Sequence, residues 1–120
     1  MGRVLLVEDE LLVREVAAED LTEAGFEVTA ASDGDEALAI LRDGTKFDLL
    51  FTDIRMPGET DGWDLAREAR QMLPGLRVIY ATGQGEAAGG LADDEFYVRK
   101  PYNLKDLRLA LGKLGFEGHG

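Results

Sequence analysis

Apolar residues fall along this chain in two alternating patterns: short, nearly continuous runs, then longer segments in which they recur every three or four positions. RVLLVE (3–8) is the first short run, and continuous apolarity over so few residues marks a strand covered on both faces. Across residues 10–24, Val13, Val16, Ala17, Leu21 and Ala24 repeat at helical spacing until Gly25 ends the pattern. Asp20 falls on the same stripe and reads as an acid at its edge. FEVTAA (26–31) predicts a second strand. Asp33 with Glu36 three positions later has the form of a capping box, opening a helix over Ala37, Leu38 and Leu41 that Gly44 closes. FDLLFT (47–52) predicts the third strand, and residues 63–73 a helix with Leu65, Ala66, Ala69, Met72 and Leu73 inward before Pro74-Gly75 stops it. LRVIYA (76–81) and EFYVR (95–99) predict strands four and five. A last helix from Asn103 places Leu104, Leu107, Leu111 and Leu114 on one face. One domain is expected over residues 3–115, with 116–120 a disordered tail in which the Gly-flanked His119 is no ligand.

Strands and helices alternating at this length imply an α/β sheet of parallel strands joined by right-handed crossovers, with helices on both faces. Such sheets take their ligands outside the carboxyl ends of the strands. Polar residues stand at four of those ends: Glu8-Asp9 after strand one, Asp53 after strand three, Thr82 after strand four and Lys100 after strand five. Beyond Asp53, Met56-Pro57-Gly58 forbids helix and forces a loop.

Composition narrows the function classes. With 120 residues, 45% of them hydrophobic, the chain suits one domain that buries roughly 65–70% of its unfolded surface. The absence of cysteine excludes disulfides and thiolate metal sites. A formal net charge of −11 repels phosphate backbones and anionic membranes, so direct nucleic-acid binding is not expected. No apolar run approaches the roughly 20 residues needed to cross a bilayer, and no signal peptide is legible; the expectation is a soluble, cytoplasmic protein without membrane insertion.

If Glu8, Asp9 and Asp53 converge, three carboxylates raise one another's pKa unless a cation neutralises them. Mg²⁺ suits that set, because it takes one or two carboxylates, keeps several waters and accepts a phosphoryl oxygen. A carboxylate can then attack phosphorus and become an aspartyl phosphate, with Lys100 as counter-charge and the Thr82 hydroxyl as donor to the phosphoryl oxygens. Taken singly, an acid pair after a strand is usually a helix cap and a Lys-Pro usually a turn. Their conjunction, each at its own strand, is much harder to obtain by chance.

VLLVEDE, FTDIRMP, the Thr of YATG and the Lys-Pro of VRKPY together resemble the receiver domain of two-component response regulators over essentially the whole chain. The resemblance implies a flavodoxin-like, doubly wound five-stranded parallel sheet of strand order 2-1-3-4-5. It also implies a phosphorelay function in which a histidine kinase or histidine phosphotransfer protein phosphorylates Asp53 with Mg²⁺ and so switches a protein-interaction surface. Asp9 would bind Mg²⁺ directly, Glu8 through water, and the backbone carbonyl of Arg55 would complete the protein ligands. Lys100 would contact the phosphoryl group, with a cis bond to Pro101, and Thr82 and Tyr97 match the switch hydroxyl and switch aromatic. By the same resemblance the chain is no enzyme beyond its own phosphorylation and dephosphorylation.

Two departures stand out. GQGEAAGGLADDE, between Thr82 and Lys100, is short and carries four glycines, so the fourth helix is expected to be shortened or mobile. YATGQG resembles the F-A-T-G motif of the FATGUY receiver subgroup, whose partners tend to be HWE-type histidine kinases; that subgroup lacks the aromatic Tyr97 supplies. The loop GETDG is about one residue longer than the commonest family form. An aspartate-nucleophile phosphatase of the haloacid dehalogenase type would need a second acid where Arg55 stands, and an FMN carrier would find its phosphate repelled by Glu8-Asp9. A non-phosphorylated interaction module would not need every one of these positions intact. The chain reads as a stand-alone receiver or as one excised from a hybrid sensor histidine kinase, with its stimulus and downstream target unspecified.

Overall fold

The computed structural model describes residues 2–55, 60–82, 95–100 and 102–116. In chain order they form β1 (Gly2–Val7), α1 (Leu11–Glu23), β2 (Phe26–Ala31), α2 (Gly34–Arg42), β3 (Leu49–Asp53), α3 (Gly62–Met72), β4 (Arg77–Thr82), β5 (Glu95–Arg99) and α4 (Leu104–Lys113). The five strands are all parallel, in the order β2-β1-β3-β4-β5, as expected. Each of the predicted strands and helices, the fourth helix aside, is present within two residues of its expected ends. The expected fourth helix, between Thr82 and Glu95, lies outside the described residues, as do Pro101 and residues 117–120.

Alternate strand residues enter two separate cores. Val4, Leu6, Leu49, Phe51, Ile79 and Val98 pack beneath α1 and α4. Leu5, Val7, Leu50, Val78 and Tyr80 pack beneath α2 and α3. This period of two explains why the central strands read as continuous apolar runs, since both of their faces are covered. Phe116 is buried edge-on against Phe26, with ring centroids 5.2 Å apart, and Arg77 lies over its ring. The packed domain therefore extends one residue past the expected 115.

Helix ends follow local chemistry. Asn103 and Asp106 form a complete capping box at α4. Asp33 accepts the Glu36 N–H at 2.8 Å, but the Glu36 carboxylate reaches back to Ser32 rather than to Asp33, so the box expected there is only half made. Gly62, at the first turn of α3, is pressed against the end of β3: an added Cβ would lie 2.1 Å from the Asp53 carbonyl oxygen. Only glycine permits that approach, and its N–H donates to the Ile54 carbonyl at 2.7 Å.

Two inward assignments need correction. Val16 is 57% exposed, because the buried residues Ala17, Leu21 and Ala24 set the phase of α1 and put position 16 roughly 100° away from that stripe. Met72 is 37% exposed, at the last turn of α3.

Candidate functional site

β1 and β3 lie side by side, with Val7 opposite Thr52, so the residues that follow them emerge together at the sheet's carboxyl edge. Glu8 and Asp53 are there, 2% and 4% exposed, the only charged side chains buried among the described residues. Asp9 is exposed beside them. One carboxylate oxygen from each of Glu8, Asp9 and Asp53 can be chosen so that all lie within 4.8 Å of one another. β5 delivers Lys100 to the same point, where its Nζ lies 3.0 Å from Glu8 Oε1 and 2.5 Å from Asp53 Oδ1. One ammonium thus bridges the two buried acids. The second Glu8 oxygen accepts the Glu10 N–H at 3.0 Å, at the start of α1.

Burial and charge act against each other here. Burial raises the Asp53 carboxyl, and the hydrogen bond and charge of Glu8 raise it further; Lys100 opposes both, and the net pKa is pushed up to about 8. Burial would also raise Glu8, but its bonds with Asp53, the Glu10 N–H and Lys100 overcome this and hold it below the ordinary carboxylate value. Ionising both acids at once is therefore disfavoured, and Asp53 is the member pushed up. Burial would lower Lys100, yet its bonds to Asp53 and Glu8 raise it, so it stays cationic.

The set fits a hard divalent cation. The donors are all oxygen, two are buried and fixed, and the third faces solvent, which leaves room for the waters Mg²⁺ keeps. The upward push that burial and Glu8 exert on Asp53 is what a cation would relieve.

The remaining predicted residues are placed as follows. Arg55 is exposed on the bend that leaves β3, two residues past Asp53. The backbone of Thr82 ends β4 one residue beyond Ala81, the partner of Asp53. Tyr97 lies opposite Tyr80 in β5, half-buried against the α2–α3 core. Sequence reasoning missed Arg14, whose Nη1 donates to the Glu8 carbonyl at 2.8 Å. The available signal was that Arg14 is the sole basic residue in the helix after the acid pair. It also missed Gly62, which seats α3 on the Asp53 backbone.

Residues 4–112 match the family model described as the response regulator receiver domain. The chain is 37% identical over 111 residues to the response regulator receiver protein CpdR of Brucella abortus, covering 89% of this chain and 91% of that protein. It is 39% identical over 109 residues to the sensor kinase CckA of the same organism, covering 87% of this chain but 11% of the kinase. Among solved structures, the response regulator TrrA of Thermotoga maritima, in complex with Mg²⁺ and BeF, superposes with a TM-score of 0.80 at 35% identity over 95% of this chain and 99% of that one. Family match, sheet order and the acid edge agree: this chain belongs to the response regulator receiver family of two-component signalling.

Proposed function

We propose that Asp53 is the phosphoacceptor of this receiver, taking its phosphoryl group from a histidine kinase or histidine phosphotransfer protein at a site that Glu8, Asp9 and Asp53 build for Mg²⁺. The observation that carries this reading is the single ammonium of Lys100 held between two buried carboxylates at the end of the sheet. An ion pair serving stability alone would need only one of these acids and would not bury a second against the same single ammonium. Bound to these carboxylates, together with the Arg55 carbonyl, Mg²⁺ would offset their repulsion and draw negative charge from the incoming phosphoryl oxygens.

The chain's own residues do the rest. Asp53, once deprotonated, attacks phosphorus through a carboxylate oxygen; the bond from phosphorus to the donor's nitrogen or oxygen breaks, and its electron pair leaves with the donor. Lys100 gives up its hold on Asp53 and pairs with a phosphoryl oxygen. Thr82 is the hydroxyl that follows another phosphoryl oxygen, and Tyr97 the ring that responds, a two-state packing switch that alters the surface offered to a downstream protein. Beyond gaining and losing its own phosphoryl group the chain catalyses nothing, and it works in the cytoplasm.

A protein donor has a surface to use. Leu11, Leu12 and Val16 are 57%, 75% and 57% exposed on the part of α1 nearest Asp9, an apolar patch that an amphipathic helix of the donor would cover. The test is incubation with acetyl phosphate and Mg²⁺ followed by peptide mapping. A hydroxylamine-labile phosphoryl group on the peptide containing Asp53, absent from Asp53→Asn and from chelator-treated protein, is expected. Equal labelling of Asp53→Asn contradicts the assignment.

A further inference from the structure

We infer that Arg14 is a positioning residue for the divalent-cation site, clamping the turn that carries Asp9 from both sides. The inference rests on reading Glu8, Asp9 and Asp53 as that site. Its guanidinium donates to the Glu8 carbonyl at 2.8 Å, while the backbone N–H at position 14 makes the first helical bond of α1, to the Glu10 carbonyl at 2.9 Å, so the side chain ties the Glu8 end of the turn to the helix that holds the Glu10 end. Asp9 lies between those two acceptors. The Glu10 N–H also reaches back across Asp9, to the Glu8 carboxylate at 3.0 Å, but that carboxylate belongs to the cation site itself; the Asp9 side chain is exposed, and Glu10, the cap of α1, makes no side-chain capping bond. Glu8 on one flank is held at every polar group, its N–H on the Ala31 carbonyl, its carboxylate on Glu10 and Lys100, and its carbonyl on Arg14. Of these holds, the carbonyl bond alone comes from a side chain outside the group formed by Glu8, Asp53 and Lys100.

A helix start without a side-chain cap leaves amide groups unanswered and a turn free to shift. A shift of the Asp9 backbone would separate its carboxylate from the other two, and a small octahedral cation tolerates little displacement of its ligands. Arg14 restrains that shift without touching the cation. Its charge, however, acts in the opposite direction. A guanidinium beside a cation site repels the cation, so if charge were all that mattered, removing Arg14 would tighten Mg²⁺ binding. Positioning and electrostatics therefore give effects of opposite sign.

The measurement is the Mg²⁺ dissociation constant by titration calorimetry of the whole chain, for wild type, Arg14→Met, Arg14→Lys and Asp9→Ala. Loss of an outer group that orients ligands commonly weakens metal binding by about tenfold or more, and that is the loss expected for Arg14→Met. Arg14→Lys, which can still donate to one carbonyl, is expected to recover most of it, to within about threefold of wild type. The Mg²⁺ concentration for half-maximal phosphorylation by acetyl phosphate should rise in parallel while the rate at saturating Mg²⁺ stays unchanged. A merely structural role would not produce that split. Arg14→Gln takes the place of Arg14→Met should the latter fail to fold. Unchanged or tighter binding in Arg14→Met, with binding lost in Asp9→Ala, overturns the clamp and leaves the site standing. Wild-type protein that binds no Mg²⁺, or Asp9→Ala that binds as wild type does, overturns the site and the clamp with it.

Discussion

The body of the sheet and its carboxyl edge are built on opposite terms. In the body, Val4 to Val7, Leu49 to Phe51 and Val78 to Ala81 are at most 2% exposed and present uncharged side chains to the two helical layers, all apolar except the Tyr80 hydroxyl, which donates to Glu95. One residue further along β1 and two further along β3, Glu8 and Asp53 are as deeply buried and carry charges that burial disfavours. Burying apolar surface is worth about 25 cal/mol per Å², whereas burying a carboxylate costs free energy unless pairing offsets it. Lys100 answers two acids with one charge, so ionising both leaves one negative charge at the edge without a counter-charge. The contrast teaches that the body supplies stability and the edge consumes some of it, to hold a nucleophile ready.

The comparison can be broken at several points. Leu50→Ala, in the body, should cost about 2–5 kcal/mol, visible as a lower denaturant midpoint. Mg²⁺ affinity should be unchanged wherever the protein remains folded. A loss below about 1 kcal/mol would mean that the body is not the source of stability.

The edge should respond to pH in the opposite sense to an ordinary ion pair. The folded-state pKa of Asp53 is raised from 3.8 to about 8, so its contribution is fully present below about pH 4 and is lost as pH rises through 8. In metal-free protein the melting temperature should fall across that window by several degrees, on the order of 1–3 kcal/mol. Asp20 shifts in the same direction, raised by burial and by Glu23 and Glu19, and adds a smaller loss at the lower end of the window. Melting curves from pH 5 to pH 8 that are flat for wild type, or as steep for Asp53→Asn, would contradict the assignment.

Mg²⁺ should restore what the rise in pH removes. At ten times its dissociation constant a ligand stabilises by about 1.4 kcal/mol, and Asp9→Ala should abolish most of that gain in a thermal melt. The smallest effect on stability is expected on α1. Leu12→Ser changes a residue that is 75% exposed and should alter folding by less than about 0.5 kcal/mol. Phosphorylation by a protein donor should nevertheless slow in that variant, while phosphorylation by acetyl phosphate does not. Equal slowing with both donors would place the defect in the chemistry rather than in docking.

Most of the body was legible in sequence because both of its signals are periodic. Continuous apolar runs marked β1, β3 and β4, and spacing of three to four marked the helices. The chemistry at the edge was legible for a different reason: Glu8, Asp9, Asp53 and Lys100 each follow a strand, and parallel strands gather their ends. Contacts that cross these patterns were not legible. Whether Lys100 rests on one acid or on two depends on how far β5 carries it, and no spacing encodes that. Arg14 reaching the carbonyl of Glu8 is a bond from a side chain to a backbone that any sequence would supply. Val16 was misplaced because a valine at the border of an apolar stripe scores the same whether it faces the core or solvent; the buried pair Ala17 and Leu21 sets the phase. Gly62 gave only a turn signal, and the close approach it permits to Asp53 exists only once α3 is docked.

The most direct test of the claim that the edge is kept for chemistry at a cost to the fold is the thermal unfolding of wild type and Asp53→Asn in metal-free buffer at pH 8. Asparagine keeps the shape and can still accept from Lys100, but it carries no charge to be buried beside Glu8. The account expects Asp53→Asn to melt several degrees above wild type, and Mg²⁺ to narrow the gap by raising wild type alone. Asp53→Asn melting at or below wild type under these conditions would show that the buried Asp53 carboxylate holds the fold together, and would contradict the account.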